Sequence, residues 1–393
     1  MSQEHKSPTV VMTGGGSGGH ITPILAVARE LKRIDPGVKV VYVSHTGDGL
    51  DDVVSESPYV DEMHSVQAGK FRRYHSEGVR QLLDFRTMGL NIRDALRTLQ
   101  GLWQSFWLLG RLRPNVIFTR GSYVSVPVCL SAGLRRIPYI THDSDVIPSL
   151  TNKIIARWAT LHAVAMAEEL YPYPIDKTIT VGVPISELYQ PVTTKLRQQY
   201  KREIGLDGYN DILLVTGGGL GAERINTAVV ANAPELLKRY PGLAIVHLTG
   251  RAHEEKVAQA YQKVLKPEAL SRVHVRGFVS DMYRFSGAAS LVIARGGATN
   301  LAELAVQGKA CIIIPNPLLT GGHQLKNTAA LRDQGAIIEM TEDQIEQELR
   351  LTSVVSDLLD HPDRAAVLAA AFGRLARPDA AQRLAALLLE KAR

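Results

Sequence analysis

Two glycine clusters, each directly after a short apolar run, are the residues of this sequence best suited to chemistry. Gly14–Gly19 precede His20, and Gly217–Gly221 repeat the cluster without a histidine. Glycines let a ligand approach the backbone closely, and free N–H groups at the start of a following helix favour an anion. Neither cluster has the spacing of a P-loop or of a dinucleotide-binding fingerprint, so nucleoside triphosphates and dinucleotides are not favoured. A tight turn that binds nothing is the alternative.

His20 lies where the first glycine cluster gives way to a helical pattern. An imidazole with a pKa near ~6.5 can act as a general base at neutral pH, whereas a purely structural histidine is the alternative. Thr22 and Pro23 suit the N-cap and the first position of a helix, so the sequence predicts a helix start there. One glycine loop in each half of the chain would hold two phosphorylated ligands, which suits a transferase better than a hydrolase.

Short apolar runs alternate with longer segments of helical period, such as Ile24–Ile34 and Ala302–Val306. Unbroken apolar strands separated by helices indicate parallel sheets covered on both faces. The predicted strands are Thr9–Met12, Val38–Val43, Val116–Thr119, Tyr139–Thr141, Leu161–Val164, Ile212–Val215, Ala244–Leu248, Val273–Val275, Leu291–Ala294 and Ala310–Ile314.

The strand, glycine cluster and helix that open the chain recur at Ile212. This repetition predicts an α/β protein of two tandem Rossmann-like domains, with parallel sheets and a cleft between them. We expect residues 1–182 to form the first domain, 183–194 a linker with two prolines, and 195–378 the second domain. The last helix, within residues 379–393, follows Pro378 and is compatible with packing on either domain.

Composition excludes several classes of protein. The 393 residues are 45% hydrophobic and 21% charged, which excludes disorder, collagen and coiled coil as the main architecture. Cys129 and Cys311 are the only cysteines, too few for a disulfide scaffold or a cysteine-rich zinc site. The N-terminus lacks the pattern of a secretory signal, and no stretch approaches the ~18 apolar residues of a membrane span. We therefore expect a soluble or peripheral protein.

Basic residues are concentrated in the first half of the chain. Between Lys70 and Arg136 there are twelve lysines and arginines against three acids. This part therefore has a net charge of +9, whereas the rest of the chain sums to −3 and the whole chain to +6. Residues 79–113 mix Leu, Phe and Trp with arginine at helical spacing, which suits an interfacial helix on an anionic leaflet. A helix packed on its own sheet is the alternative. A nucleic-acid partner is not favoured, because stacking aromatic residues and a known binding module are absent.

Six motifs together resemble the GT-B glycosyltransferases of the MurG type, in the same order along residues 9–340. They are TGGGSGGHITPILAVA, GKFRRYH, TRGSYVSVPV, IPYITHDSDVIPSLTNK, GGGLGAERIN and RGGATNLAELAVQGKACIIIP. The resemblance implies transfer of N-acetylglucosamine (GlcNAc) from UDP-GlcNAc to undecaprenyl-diphosphate-linked muramoyl-pentapeptide in peptidoglycan synthesis. It further implies a peripheral enzyme on the cytoplasmic face of the cell membrane, with cell-wall synthesis proteins as possible partners.

The resemblance also assigns roles to residues of the first domain. His20 matches the base that deprotonates the acceptor hydroxyl, while Lys70, Arg72 and Arg73 would border the acceptor or lipid headgroups. The remaining residues implied at the acceptor are Gly14, Gly15, Gly16, Ser17, Gly18, Gly19, Gly121, Ser122, Tyr123, Ser125 and Asp145.

In the second domain the resemblance implies a donor site. Glu303 matches the acid that binds the ribose hydroxyls, Val279 lies where the backbone reads the uracil edge, and Arg295 begins a turn that receives phosphate or ribose. The other implied donor residues are Gly218, Gly219, Leu220, Gly221, Gly297, Ala298, Thr299, His323, Gln324 and Asn327, the last three at the GlcNAc hydroxyls.

Four positions depart from the family pattern. Gly219 replaces a serine, Ser186 an arginine, and His323 a glutamine, while Asp145 stands where many members have asparagine. The first three concern affinity for the donor, and none affects the predicted fold.

The implied chemistry is a direct displacement with one inversion at the anomeric carbon. His20 takes the acceptor proton while UDP leaves towards helix N-termini and Arg295. We expect no cofactor and no essential tightly bound metal, because the acidic segment Gly47–Asp52 reads as a surface loop. A related transferase with another lipid acceptor and a UDP-GlcNAc epimerase are the rival functions.

Overall fold

The computed structural model describes residues 7–15, 18–49, 51–69, 85–219 and 221–393. The chain divides into two compact units, one formed by Met1–Ser186 with Pro378–Arg393 and the other by Glu187–Arg377. The division after Ser186 lies within the predicted linker.

The first unit is built, in its described part, on a seven-stranded parallel sheet of order β3-β2-β1-β4-β5-β6-β7. Its elements up to the division are β1 (Thr9–Thr13), α1 (Gly18–Ile34), β2 (Lys39–His45), α2 (Asp51–Ser55), β3 (Glu62–Val66), α3 (Phe85–Leu112), β4 (Val116–Thr119), α4 (Ser125–Arg135), β5 (Tyr139–Asp143), α5 (Leu150–Ile155), β6 (Leu161–Val164) and β7 (Thr178–Thr180).

The second unit has a parallel sheet of order β10-β9-β8-β11-β12-β13, six strands among the residues described. Its elements are α6 (Thr194–Glu203), β8 (Asp211–Thr216), α7 (Glu223–Arg239), β9 (Leu243–Leu248), α8 (Glu254–Val264), α9 (Pro267–Leu270), β10 (Val273–Arg276), α10 (Met282–Ala288), β11 (Leu291–Ala294), α11 (Ala298–Val306), β12 (Ala310–Ile313), α12 (His323–Asp333), β13 (Ile338–Glu339), α13 (Glu342–Glu346), α14 (Arg350–Asp360) and α15 (Pro362–Arg374). Helix α16 (Ala380–Ala392) follows and belongs to the first unit.

Both faces of each sheet are buried, which explains the unbroken apolar runs. In β1, Val10 and Met12 point into a core shared with α1 and α16, while Val11 points into the core on the opposite face, near α3 and α4. In β8, Leu213 and Val215 alternate in the same way with Ile212 and Leu214. The predicted α/β class with two Rossmann-like domains is therefore confirmed.

All ten predicted strands are present, and three further strands were missed. The missed strands are β3, β7 and β13, which lie at edges of the two sheets. Their sequences EMHSV, TIT and IE are short or polar, and their side chains are mostly only partly buried. Edge strands are less covered than central ones, so their sequences need not carry the apolar run on which the prediction relied, although the edge strand β10 was predicted.

The predicted start of the first helix was wrong. Helix α1 begins at Gly18, so Thr22 and Pro23 lie inside it and His20 is in its first turn. Proline lacks an amide hydrogen, and near a helix start this removes one hydrogen bond without ending the helix.

Helix α16 packs on the first unit, which is one of the two alternatives left open by the sequence. Leu384 and Leu388 are fully buried in the same core as Val27 and Leu31 of α1. The Asn115 side chain also donates a hydrogen bond of 3.0 Å to the Ala392 carbonyl.

Replacing Leu384 by alanine is expected to destabilise the first unit by about 2–5 kcal/mol, because it leaves a cavity in a closed core. Urea unfolding followed by intrinsic fluorescence measures this loss, with exposed Gln382→Ala in the same helix as the control. Equal midpoints for the two variants would contradict the packing of α16.

Candidate functional site

Each sheet has one point where the strand order reverses, and both glycine clusters follow a strand at that point. In the first unit the point lies between β1 and β4, and in the second between β8 and β11. Ligands of open α/β sheets bind in the crevice that opens at the carboxyl ends of the strands at such a point. The loops after these four strands are therefore the candidate sites.

The loop after β1 is tightly packed at two described glycines. A β-carbon at Gly14 would overlap the Ile24 side chain, and one at Gly15 would overlap the Asp48 carboxylate. Gly15 also has a φ of 140°. The loop thus packs tightly on α1 and on the residues after β2, and both Gly14 and Gly15 are buried.

Several predicted acceptor residues fall outside this description. Gly16, Ser17, Lys70, Arg72 and Arg73 lie outside the described residues, so their roles stay predictions. Gly18, Gly19 and His20 form the helical backbone at the start of α1, but the side chain of His20 is not among those described.

The loop after β4 is held by a network of short side chains. Thr119 donates to Ser125 Oγ at 2.6 Å and accepts from the Gly121 amide at 3.1 Å. Gly121 has a φ of 80°, and Ser149 Oγ donates to its carbonyl at 3.1 Å. Ser122 is buried, yet its hydroxyl has no hydrogen-bond partner among the described residues. A buried hydroxyl without a partner is costly, which supports the prediction that Ser122 contacts a ligand.

Tyr123 lies beside this loop and is partly exposed. Its ring packs edge-on against His45, with 5.3 Å between the ring centroids. Burial, with a contribution from nearby Asp48, raises the pKa of the Tyr123 hydroxyl, which is therefore a neutral hydrogen-bond donor at neutral pH.

Arg120 is a residue of this site that the sequence analysis missed. It follows β4 directly, is only 6% exposed, and donates a hydrogen bond to the Ser144 hydroxyl after β5. Burial lowers the pKa of Arg120 to about 10, although Asp145 and Asp143 oppose that change. Predicted acceptor residue Asp145 is thus electrostatically paired with Arg120. The sequence did offer a signal for this residue, which is an arginine at the end of a predicted strand, directly before the glycine of the TRGS segment.

His142, which lies in β5, helps to fix the turn that follows this strand. Its Nε2 atom lies 2.8 Å from the Gly182 carbonyl, and the Asn152 side chain donates to the His142 carbonyl at 3.0 Å. Burial lowers the pKa of His142 to about 3, so the ring is neutral at neutral pH and donates to Gly182. This histidine is structural and keeps the turn that carries Asp145 in place.

The glycine loop after β8 resembles the one after β1 in its conformational demands. Gly218 and Gly221 have φ values of 82° and 79°, and the Gly221 amide donates to the Gly218 carbonyl at 2.9 Å. A β-carbon at Gly221 would overlap the Thr249 carbonyl, whereas one at Gly219 would meet nothing within 4 Å. The serine usual in the family would therefore fit at position 219. Leu220 lies outside the described residues.

Helix α12 contacts the turn after β11 and holds it in place. Asn327 is fully buried and donates to the Gly296 carbonyl at 3.2 Å. Gly297 precedes α11, whose first residues are Ala298 and Thr299, and a β-carbon at Gly297 would meet nothing within 4 Å. The start of α11 therefore offers free backbone amides to an anion.

The guanidinium of Arg295, the first residue of that turn, is held by other groups of this chain. Its guanidinium forms an ion pair of 2.5 Å with Glu342 and donates to the Ile314 carbonyl at 3.1 Å. Only 9% of the residue is exposed. Its predicted contact with the leaving diphosphate stays a prediction, while a role in holding the turn is visible in these contacts.

Glu303 lies in α11 and is largely buried. Burial raises the pKa of Glu303 to about 8, against a smaller opposing effect of a hydrogen bond from the Tyr189 hydroxyl. Tyr189 packs edge-on against Tyr283, with 6.3 Å between the ring centroids. The carboxyl group is thus mostly protonated at neutral pH. Tyr189 was not singled out from the sequence, because nothing local links it to a residue so far along the chain.

The remaining predicted donor residues lie on two further segments. Gln324 Oε1 accepts from the Asn316 amide at 2.9 Å, and His323 begins α12 and is partly exposed. Val279 follows β10, and its side chain packs against the core. This leaves the backbone of Val279 to make the predicted contact. The described residues contain no group of three His, Cys, Asp or Glu side chains arranged as metal ligands.

Comparisons with known proteins give the family. Residues 10–164 match the N-terminal domain of glycosyltransferase family 28, and residues 212–384 match the C-terminal domain of that family. The UDP-N-acetylglucosamine--N-acetylmuramyl-(pentapeptide) pyrophosphoryl-undecaprenol N-acetylglucosamine transferase of Natranaerobius thermophilus is 32% identical, covering 89% of this chain and 91% of the relative. The enzyme of the same name from Halalkalibacterium halodurans is 31% identical, covering 98% and 99%.

Solved structures agree on the fold. MurG of Acinetobacter baumannii superposes with a TM-score of 0.70 at 21% identity, covering 98% of this chain and 99% of that chain. A UDP-GlcNAc 2-epimerase of Neisseria meningitidis bound to UDP-GlcNAc superposes with a TM-score of 0.66 at 13% identity, covering 97% and 99%. Fold alone does not separate transferase from epimerase, but identity to curated relatives over nearly the whole length does. The chain belongs to the MurG-type N-acetylglucosaminyltransferases of glycosyltransferase family 28 and is a hexosyltransferase.

Proposed function

We propose that this protein transfers GlcNAc from UDP-GlcNAc to undecaprenyl-diphosphate-linked muramoyl-pentapeptide, with the acceptor in the first unit and the donor in the second. The observation that carries the proposal is one glycine loop at the strand-order reversal of each unit. Both substrates carry a diphosphate, and each loop precedes a helix whose N-terminal amides favour an anion. The relatives named for this reaction match nearly the full chain.

In the proposed reaction His20 takes the proton from the acceptor sugar hydroxyl. The hydroxyl oxygen forms a bond to the anomeric carbon of GlcNAc, and the bond from that carbon to the UDP oxygen breaks with its electron pair going to UDP. Amides at the starts of α7 and α11 stabilise the charge that develops on the leaving diphosphate. One displacement turns an α-linked donor into a β-linked product.

Replacing His20 by alanine is expected to lower kcat by at least ~10²-fold, because the acceptor hydroxyl loses its base. Transfer of labelled GlcNAc to a short-chain analogue of the lipid-linked acceptor measures the effect, with exposed His361→Ala as the control. An active His20→Ala variant would remove His20 as the base and keep the reaction. Conversion of UDP-GlcNAc to its 2-epimer without acceptor would support the epimerase instead.

Glu303 gives the donor site a pH dependence. A carboxylate that accepts hydrogen bonds from two ribose hydroxyls must be ionised, but the free protein holds this group with a pKa of about 8. Binding then requires loss of a proton at any pH below that value. Affinity for UDP-GlcNAc therefore increases as pH rises towards 8 and levels off above it.

We expect the dissociation constant for UDP-GlcNAc to fall about tenfold per pH unit on approach to the Glu303 pKa. Calorimetric titrations between pH 6 and 9 follow this dependence, since the donor's diphosphate does not titrate in that range. Glu303→Gln should bind more weakly and with a flat profile, whereas exposed Glu235→Gln should behave as the wild type. A wild-type profile in Glu303→Gln would exclude Glu303 as the ribose ligand.

The acceptor is a membrane lipid, and α3 carries the surface proposed to meet it. Ile92, Leu96, Leu99, Trp103 and Trp107 share one face of the helix, and the two tryptophans are 67% and 61% exposed. The opposite face packs on its own unit through fully buried Ser105 and Leu109. The buried face packs within the unit, and the exposed apolar face is the one proposed to meet the membrane. Among the helices described, none has the length and apolar character to span a bilayer.

The charge around this apolar stripe favours an anionic leaflet. The segment that contains α3 has the large excess of arginine and lysine noted above. Tryptophan prefers the boundary between headgroups and acyl chains, and basic residues nearby add attraction to acidic lipids. This combination supports peripheral binding at the inner face of the cell membrane.

Replacing Trp103 and Trp107 together by serine should weaken binding to phosphatidylglycerol-containing vesicles by at least about tenfold, because two apolar anchors are lost. Vesicle sedimentation measures binding, and Trp158→Ser, an exposed tryptophan outside the stripe, is the control. Transfer to a water-soluble acceptor analogue should be unchanged. Undiminished vesicle binding would contradict the assignment.

A further inference from the structure

Two arginines flank the loops of the proposed donor site in the second unit. Arg224 is the second residue of α7, directly after the glycine loop that follows β8. Arg295 directly follows β11 and begins the turn that leads into α11. The two loops belong to neighbouring strands, and a nucleotide diphosphate bound at this point would contact both.

A single carboxylate joins these two arginines. Glu342 Oε1 lies 2.5 Å from Arg295 Nη2, and Glu342 Oε2 lies 2.7 Å from Arg224 Nη1. Glu342 is 5% exposed and is the first residue of α13. Thr341 and Gln344 cap that helix reciprocally, with hydrogen bonds of 2.9 and 3.1 Å, so the carboxylate projects from a fixed backbone.

The two arginines differ in what else holds them. Arg295 is buried and also donates a hydrogen bond to the Ile314 carbonyl. Arg224 is partly exposed and also pairs with Asp343 at 2.8 Å and Glu346 at 2.5 Å. Exposed pairs contribute little, whereas removing one partner of a buried ion pair is strongly unfavourable. Glu342 therefore ties the start of α7, which follows the first of these loops, to the turn after β11.

We propose that Glu342 is a positioning residue of the donor site, which fixes the spacing between the glycine loop after β8 and the turn after β11. In this role Glu342 acts on the two loops through Arg224 and Arg295 and does not itself contact the nucleotide. The inference rests on the proposed donor site in this unit. Small errors in the placement of groups that bind a substrate are costly, so a loosened spacing lowers affinity for the donor.

Glu342→Gln tests this role in the full-length protein. The amide oxygen can accept from one arginine, but the amide nitrogen then faces the other and cannot accept from it. We expect the KM for UDP-GlcNAc to rise about tenfold, with kcat and the KM for the acceptor analogue changed less than about threefold. A change confined to the donor KM is not what a general loss of folded protein produces.

A second variant covers the case in which Glu342→Gln does not fold. Arg224→Met cuts the same connection on its exposed side and leaves the buried pair of Glu342 and Arg295 intact. The matched control is Asp343→Asn with Glu346→Gln, which removes the exposed partners of Arg224 and keeps its bond to Glu342. We expect a raised donor KM in Arg224→Met and a wild-type value in the control.

The outcomes separate this inference from the proposed function. Wild-type protein that neither binds UDP-GlcNAc nor transfers GlcNAc refutes the donor site itself. With an active wild type, an unchanged donor KM in Arg224→Met and in folded Glu342→Gln overturns the positioning role. A fall in kcat at constant KM, together with a lower melting temperature, also overturns it, because it shows only a loss of folded enzyme.

Discussion

The candidate sites depend on one constraint, which is that neighbouring strands at the centre of each sheet send their helices to opposite faces. Helix α1 leaves β1 towards the face covered by α16, whereas α4 leaves β4 towards the face covered by α3. In the second unit α7 and α11 diverge in the same way. The crevice opens between the diverging helices, and glycine is needed where the backbone turns with a positive φ, as at Gly121 and Gly218. Under the proposed function, this geometry serves a lipid diphosphate in the first unit and a nucleotide in the second.

A buried arginine occupies the equivalent position in both units. Thr119 pairs with Thr13 and Ala294 with Thr216, so Arg120 and Arg295 each follow the last paired residue beside the strand-order reversal. Acidic residues from later in each unit interact electrostatically with these arginines. Asp143 and Asp145 act on Arg120, and Glu342 forms an ion pair with Arg295. A buried cation with fixed partners cannot reorient freely, so each loop is held in shape before a ligand arrives.

The sequence was informative where interactions are local and uninformative where they are distant. The central strands were predicted because burial on both faces requires apolar runs. The edge strand β3 was missed because it is less covered and its sequence carries no such run. Glycine loops were found because their residues are adjacent. The pairing of Arg295 with Glu342, or of Glu303 with Tyr189, joins segments far apart in the chain, and neither segment alone shows its partner. Arg120 was overlooked because its burial depends on how β4 and β5 pack.

Helix α16 has a consequence for the order in which the chain can fold during synthesis. Leu384, Leu388 and their neighbours complete the core that includes β1 and α1, although they are made after the whole second unit. Residues 187–377 form a compact unit of their own and are complete before those leucines leave the ribosome. N-terminal domains usually fold first, but here the first unit gains the α16 part of its core only after the second unit has been made. The part of this sheet face that α16 covers, beside α1, therefore stays exposed throughout synthesis of the second unit.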